Sequence, residues 1–187
     1  NRYYQLYARS YLRYCERWLF PQAAESYRLA LESSGPLPQD SATLSYCVTC
    51  NGSGVLSLYV DSKEFCGGRL ERRRHGDTWD LSTGYPIPIS ACFPRKSPWR
   101  KSLLHITEQE VDQQERTGIA KYHEGWRRLL RRNFNPENFY LTETALHWYW
   151  QMYTVAPAAE GIPVFSTSYG ENDCFFPGNR DKIMEEE

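Results

Sequence analysis

The sequence predicts an α+β fold: a largely antiparallel sheet built from hairpins, packed against a long N-terminal helix and two further helices. Three observations predict it. Helical and strand patterns are segregated along the chain and do not alternate; two stretches carry hairpin chemistry; and an amphipathic pattern fills residues 1–33. In that first pattern Tyr4, Tyr7, Tyr11, Tyr14 and Trp18 recur at three- and four-residue steps, with Leu12, Cys15 and Leu19 widening the stripe. Pro21 removes a backbone donor and is expected to kink or divide the helix. Beyond it Ala24, Tyr27 and Leu31 carry the apolar face on, and Ser33-Ser34-Gly35-Pro36 ends it.

The first hairpin follows. Leu44 to Cys50 alternates, Asn51-Gly52-Ser53-Gly54 supplies a turn, and Leu56, Leu58 and Val60 alternate again. Leu44, Tyr46, Val48, Leu56, Leu58, Val60, Trp148 and Trp150 are therefore expected in the core. The polar run from Gly67 to Gly76 reads as an exposed loop. Thr78 to Leu81 reads as a short strand, Ser82-Thr83-Gly84 as a turn, and Ile87 to Phe93 as a further extended piece. Pro98 suits a helix start. Trp99, Leu103, Ile106 and Val111 mark that helix and Gly118 its break. Ile119, Tyr122, Trp126, Leu129 and Leu130 predict another, stopped at Asn135-Pro136. An aromatic hairpin closes the fold: Asn138 to Thr142, a turn at Glu143-Thr144, Ala145 to Trp150, then a Pro/Gly connection into a third short strand ending at Phe165. This gives one domain over residues 1–169 and a tail over 170–187, with Cys174-Phe175-Phe176 able to dock back onto the body.

A chain of 187 residues buries a core without a metal or disulfide staple. Its net charge of −1 argues against a nucleic-acid partner. Fourteen Tyr, eight Phe and six Trp suit strand packing and also sugar-stacking surfaces. No run approaches the ~20 apolar residues of a membrane span. The chain opens inside a helical pattern, as an excised ectodomain or mature fragment would, so a parent protein that is membrane-anchored or secreted is expected, with any anchor outside this fragment.

Six cysteines are too sparse for a disulfide-built scaffold. Cys47 and Cys50 have CxxC spacing, but three apart on a strand they point to opposite faces, which disfavours both zinc and a mutual bond. At most one long-range disulfide is expected, with Cys66 and Cys92 as the pair. His75, His105, His123 and His147 are scattered without metal-ligand spacing, so neither metal nor cofactor is expected. His147, between Leu146 and Trp148, reads as a structural histidine.

Three segments together resemble a known family. They are Phe65-Cys66-Gly67-Gly68; Trp79-Asp80-Leu81-Ser82-Thr83-Gly84 running to Cys92-Phe93; and Phe139 to Thr142 followed by Ala156-Pro157 and Gly161-Ile162-Pro163. In this order, over about residues 42–169, they are similar to the extracellular domain shared by sigma-V-type anti-sigma factors of Gram-positive bacteria and certain peptidoglycan deacetylase-like surface proteins. The resemblance implies an extracellular or cell-surface setting and a non-enzymatic role, the catalytic work in such proteins belonging to a separate deacetylase domain. Some relatives bind lysozyme. After the glycine pair the family carries Ala-His-Gly, whereas this chain has Arg69-Leu70-Glu71, so any role of that histidine does not transfer.

Two arginine clusters stand out. Arg127, Arg128, Arg131 and Arg132 lie opposite Trp126, Leu129 and Leu130 and read as a solvated helix face. Arg69, Arg72, Arg73 and Arg74, with His75 and the adjacent Trp79, are placed on a loop where packing does not require them. Guanidinium forks suit carboxylates and phosphates, so these residues form the candidate binding surface. An anionic cell-wall polymer is the expected partner ahead of a secreted protein such as lysozyme, which is often basic and would be repelled. The competing reading is a cell-wall hydrolase or deacetylase using Asp77, Asp80 and His75; a third is a purely structural ectodomain.

Overall fold

The computed structural model describes residues 2–179. The expected tail at Glu185-Glu186-Glu187 lies outside the described residues. The chain divides into two compact units, Asn1–Ser45 with Asp61–Arg73, and Tyr46–Val60 with Arg74–Glu187. Helices and antiparallel sheets make an α+β protein, as the segregated patterns predict.

In the first unit, α1 (Arg2–Tyr14) and α2 (Phe20–Glu32) flank a π-helical turn at Cys15–Leu19. Pro21 explains that turn. Its nitrogen cannot donate back to the previous turn, and the Phe20 N–H instead reaches the Cys15 carbonyl, five residues back. The wider turn rotates the helix less per residue, so the inward face is delayed and falls on Cys15 and Leu19. Ala23, Ser26 and Ala30 are half-buried, while Tyr27 and Leu31, expected inside, are exposed. Tyr14 and Trp18 are likewise turned outward. The Tyr11 and Tyr14 hydroxyls donate to Glu64, at 3.3 and 3.2 Å.

Strands β1 (Ser41–Gly52), β2 (Val55–Cys66) and β3 (Arg69–Asp80) form one sheet in the order β1-β2-β3. Two-residue turns connect them, Ser53-Gly54 at φ 49° and 77° and Gly67-Gly68 at φ 58° and 77°, the left-handed pairs that match strand twist in a tight hairpin. The second turn overturns the expected loop. Residues after Gly68 run straight on as β3, so Arg69 to His75 are strand residues. The burial expected of the first hairpin holds for its central strand only. Leu58 and Val60 are buried and Leu56 half-buried, but on the edge strand Tyr46 is 76% and Val48 48% exposed, with Leu44 half-buried.

The second unit holds the main core. α3 (Trp99–Thr117) begins after Pro98 and ends at Gly118, which takes the left-handed conformation. The next helix is shorter than predicted: α4 spans only Trp126–Arg132. Residues 119–125 spend their backbone donors elsewhere, the Lys121 N–H on Glu160 and the His123 N–H on the Val155 carbonyl. Ile87 to Phe93 is not extended throughout, because Ile89–Cys92 coils into a 3₁₀ turn. The closing sheet, β4 (Phe139–Leu141), β5 (Ala145–Tyr149) and β6 (Val164–Ser168), is antiparallel in the order β4-β5-β6. Its register sets Trp148 opposite Phe139 and Phe165. Trp148, Trp150, Phe165, Leu103, Val111, Leu130 and Leu146 are closed off from solvent. Both buried indoles find acceptors, Trp148 on Thr107 Oγ1 at 2.9 Å and Trp150 on the Leu130 carbonyl at 3.2 Å.

A buried hydroxyl ties β2, β3 and β4 together. Ser57 Oγ accepts the Leu141 N–H at 2.9 Å and lies 2.8 Å from Thr78 Oγ1. All six cysteines are free thiols, including Cys66 and Cys92, so the expected pairing of these two is not made. Cys47 is exposed and Cys50 buried, as opposite strand faces require. Cys174 does dock, buried with the Phe175 N–H on the Cys92 carbonyl at 2.9 Å. Burial pushes the Cys174 thiol up to about 12. Among the described residues no helix is long and apolar enough to cross a membrane.

Candidate functional site

Strand alternation sorts the predicted site residues. His75, Asp77 and Trp79 share one face of β3, while Arg72, Arg74, Gly76 and Asp80 share the other. In the first unit Arg72 reaches Asp61 at 3.4 Å and Arg73 reaches Glu71 at 2.6 Å. Arg69 is exposed at the start of the strand. The clustered positive charge that marked these residues in the sequence is thus met by acids in the hairpin itself. Arg127 and Arg131, on the second cluster, are exposed and paired with Asp112 and Glu108, as a solvated helix face should be.

In the second unit Arg74 occupies a different setting. Its guanidinium lies 3.7 Å from the centre of the Tyr59 ring and 5.8 Å from those of Tyr140 and Tyr149. Its backbone is clamped: the N–H donates to Gln151 Oε1 at 3.0 Å, and the carbonyl accepts from Gln151 Nε2 and the Tyr149 hydroxyl. Tyr140 stacks on His147 at 4.9 Å with rings 4° apart. Arg74, Tyr59 and His147 are half-buried, so the platform presents aromatic and cationic groups together. Burial lowers the pKa of His147, because it disfavours the charged ring. Sequence reading missed Tyr59 and Tyr140 as partners of Arg74. The available signal was the aromatic alternation itself, which does not say which strand will lie beside it.

Only two of the three catalytic candidates are brought together. His75 Nε2 lies 3.1 Å from Asp77 Oδ1. Asp80 sits on the other face, where Oδ1 accepts from the Ser82 N–H, the Ser82 hydroxyl and the Thr83 N–H. Those bonds hold its carboxyl below the usual range, as in a turn-capping aspartate. Among the described residues no group of three or more His, Cys, Asp and Glu is placed to hold a metal. Trp79 is half-buried and bridges to Pro86.

The hydrogen bond that His75 donates to Asp77, then the charges of Asp77 and Glu137, raise the pKa of His75 above its ordinary 6.5 against the opposing pull of burial. A raised folded-state value means the protonated pair stabilises the fold below pH 6.5, and that this contribution is lost as pH rises through the raised value. In an NMR titration, Asp77→Asn should bring the His75 midpoint down. An unchanged midpoint would refute the pairing.

Comparison with known proteins agrees with this architecture. Residues 93–170 match the model of DUF3298, a protein family of unknown function. That span runs from Phe93, just before α3, past β6, and contains the third of the three sequence segments but not the first. The fold is similar to that of a DUF3298 family protein from Pseudomonas aeruginosa PAO1, at 18% identity over 81% of this chain and 68% of that one, with a TM-score of 0.54. It is also similar to a member of the same family from Bacteroides fragilis NCTC 9343, at 18% identity over 98% and 72%, with a TM-score of 0.59. No curated protein matches the chain.

Proposed function

We propose that the protein is a non-enzymatic binding domain of the cell envelope whose ligand is an anionic wall polymer. The observation that carries this reading is the half-buried Arg74 guanidinium 3.7 Å from the centre of the half-buried Tyr59 ring, beside the buried rings of Tyr140 and Tyr149. Aromatic faces accept the apolar face of a sugar ring, and a guanidinium fork pairs with carboxylate or phosphate. The extracellular setting rests on the resemblance of the three segments. Arg69, Arg72, Arg73, His75 and Trp79 remain part of the proposal, the arginines as residues that steer an anionic chain, now from strand positions.

The test is co-sedimentation with purified peptidoglycan and wall teichoic acid at rising salt. Arg74→Ala should abolish retention, Arg73→Ala should leave most of it, and binding should weaken above physiological ionic strength, where screening acts within ~8 Å. Retention unaffected by Arg74→Ala would retire the platform as the site. The enzyme reading keeps one supporting contact, His75 to Asp77 at 3.1 Å. Turnover of acetylated chitooligosaccharide that is lost in His75→Asn would favour it.

A further inference from the structure

We infer that Cys15 and Cys66 form a redox pair, two thiols that close a disulfide within the first unit when a disulfide donor is present. Both are half-buried, and both line one cleft of about 460 Å³ whose walls include Leu19, Phe20, Ala23 and Ala42. The other thiols are placed differently. Cys50, Cys92 and Cys174 are buried, and Cys47 is exposed on the edge strand β1. Cys15 and Cys66 therefore combine partial access to solvent with a shared setting.

The packing of helix on hairpin sets the two thiols on one rung. The Tyr11 hydroxyl donates to Glu64 Oε1 at 3.3 Å and the Tyr14 hydroxyl to Glu64 Oε2 at 3.2 Å. From Tyr11, Cys15 lies four residues on, about one turn along the same half-buried face. From Glu64, Cys66 lies two residues on, along the same face of β2. One helical turn advances about 5.4 Å and two strand residues about 6.7 Å, so the steps stay matched. The shared cleft shows that they run the same way. Asp40 closes the rung beyond Cys66, its Oδ1 accepting the Gly67 N–H at 3.0 Å. Burial first, then the charges of Asp40, Glu64 and Cys15, push the Cys66 thiol up. That the charge of Cys15 is felt at Cys66 agrees with their closeness, and a neutral disulfide removes the conflict between a Cys66 thiolate and those charges. In the exchange, the thiolate of one cysteine attacks the donor's S–S bond and releases one donor thiol. The second cysteine then attacks the mixed disulfide and releases the other. The protein loses two S–H bonds and gains one S–S bond; the donor takes up two electrons and both protons as two thiols. A low-molecular-weight disulfide or an oxidised dithiol protein is the donor class. The bond staples the π-helical turn to the end of β2, so the packing of the helical arm on its hairpin becomes dependent on redox state.

The experiment equilibrates the full chain with oxidised glutathione, alkylates the remaining thiols, and maps tryptic peptides without reduction. Cleavage after Arg13, Arg17, Lys63 and Arg69 isolates Tyr14–Arg17 and Glu64–Arg69, each with a single cysteine. The expected product is these two peptides joined, lighter by two hydrogen atoms than their sum and separated by dithiothreitol. Cys47→Ser repeats the test without the exposed thiol and should give the same product. Oxidation in urea should instead scatter the pairings. The oxidised chain should melt roughly 5–15 °C above the same chain in dithiothreitol. Glutathione adducts on Cys15 and Cys66 without the joined peptide, Cys66 joined to a different cysteine, or both left free would overturn the inference. So would an equal share of the joined peptide in urea and in buffer, or a melting temperature that does not rise on oxidation. Arg74→Ala should leave the joined peptide intact, so failure here and failure of the platform reading are distinguishable.

Discussion

Gly76→Ala is expected to destabilise the protein by about 3 kcal/mol or more, enough to unfold much of a marginally stable domain. A Cβ at Gly76 would stand 2.0 Å from the Phe139 carbonyl oxygen, 3.0 Å from its carbon and 3.4 Å from the Tyr149 hydroxyl. The first two contacts are backbone, so no side-chain rotation relieves them. Either β3 retreats from β4 or the Leu141 to Ser57 hydrogen bond next to this approach is strained, leaving buried polar groups unpaired. Gly52→Ala is the matched control. It lies in β1 with nothing within 4 Å of the added carbon, and its substitution should stay within about 0.5 kcal/mol. Urea unfolding of both variants measures the difference. A Gly76→Ala midpoint equal to wild type would mean that β3 and β4 do not approach as described.

Gly76 also shows what was legible in the sequence. The closing hairpin was, because everything that specifies it is local: alternating aromatics, a two-residue turn, and β-prone side chains on both strands. The α3 boundaries were legible for the same reason, from Pro98 and Gly118. β3 was not. Its residues Arg69 to Asp80 carry no hydrophobic alternation, and what makes them a strand is partnership across the hairpin, Arg72 with Asp61, and the close approach at Gly76. These are contacts between residues far apart in the chain, which periodicity cannot display. The inward face of α2 lies on Ala23, Ser26 and Ala30, one residue before the predicted stripe, and a π turn, not a kink, precedes it. Among site residues, Arg74 was named for its charge, but its aromatic company came from three other strands.

Trp148→Ala should cost about 3–5 kcal/mol, the range for deleting a buried aromatic from a core that cannot collapse around the void. Trp148 is 2% exposed and sits mid-strand in β5, opposite Phe139 on one side and Phe165 on the other. Neither neighbour can close in without breaking the register that pairs both flanking strands. The substitution also removes the indole donor to Thr107 Oγ1. Thr107 is itself fully buried, and its hydroxyl donates back to the Leu103 carbonyl at 2.8 Å, so that hydroxyl keeps one partner when the indole is gone. Trp148→Phe, which retains most of the volume and loses the donor, should therefore cost roughly 1–2 kcal/mol. The ordering separates the two contributions: cavity from the alanine variant, hydrogen bond and residual volume from the phenylalanine. In urea the midpoint should fall for both variants at unchanged slope, since the surface exposed on unfolding is nearly the same. Equal costs for the two would place the energy in the hydrogen bond, and a Trp148→Ala cost below about 1 kcal/mol would show that this indole is not at the centre of the core.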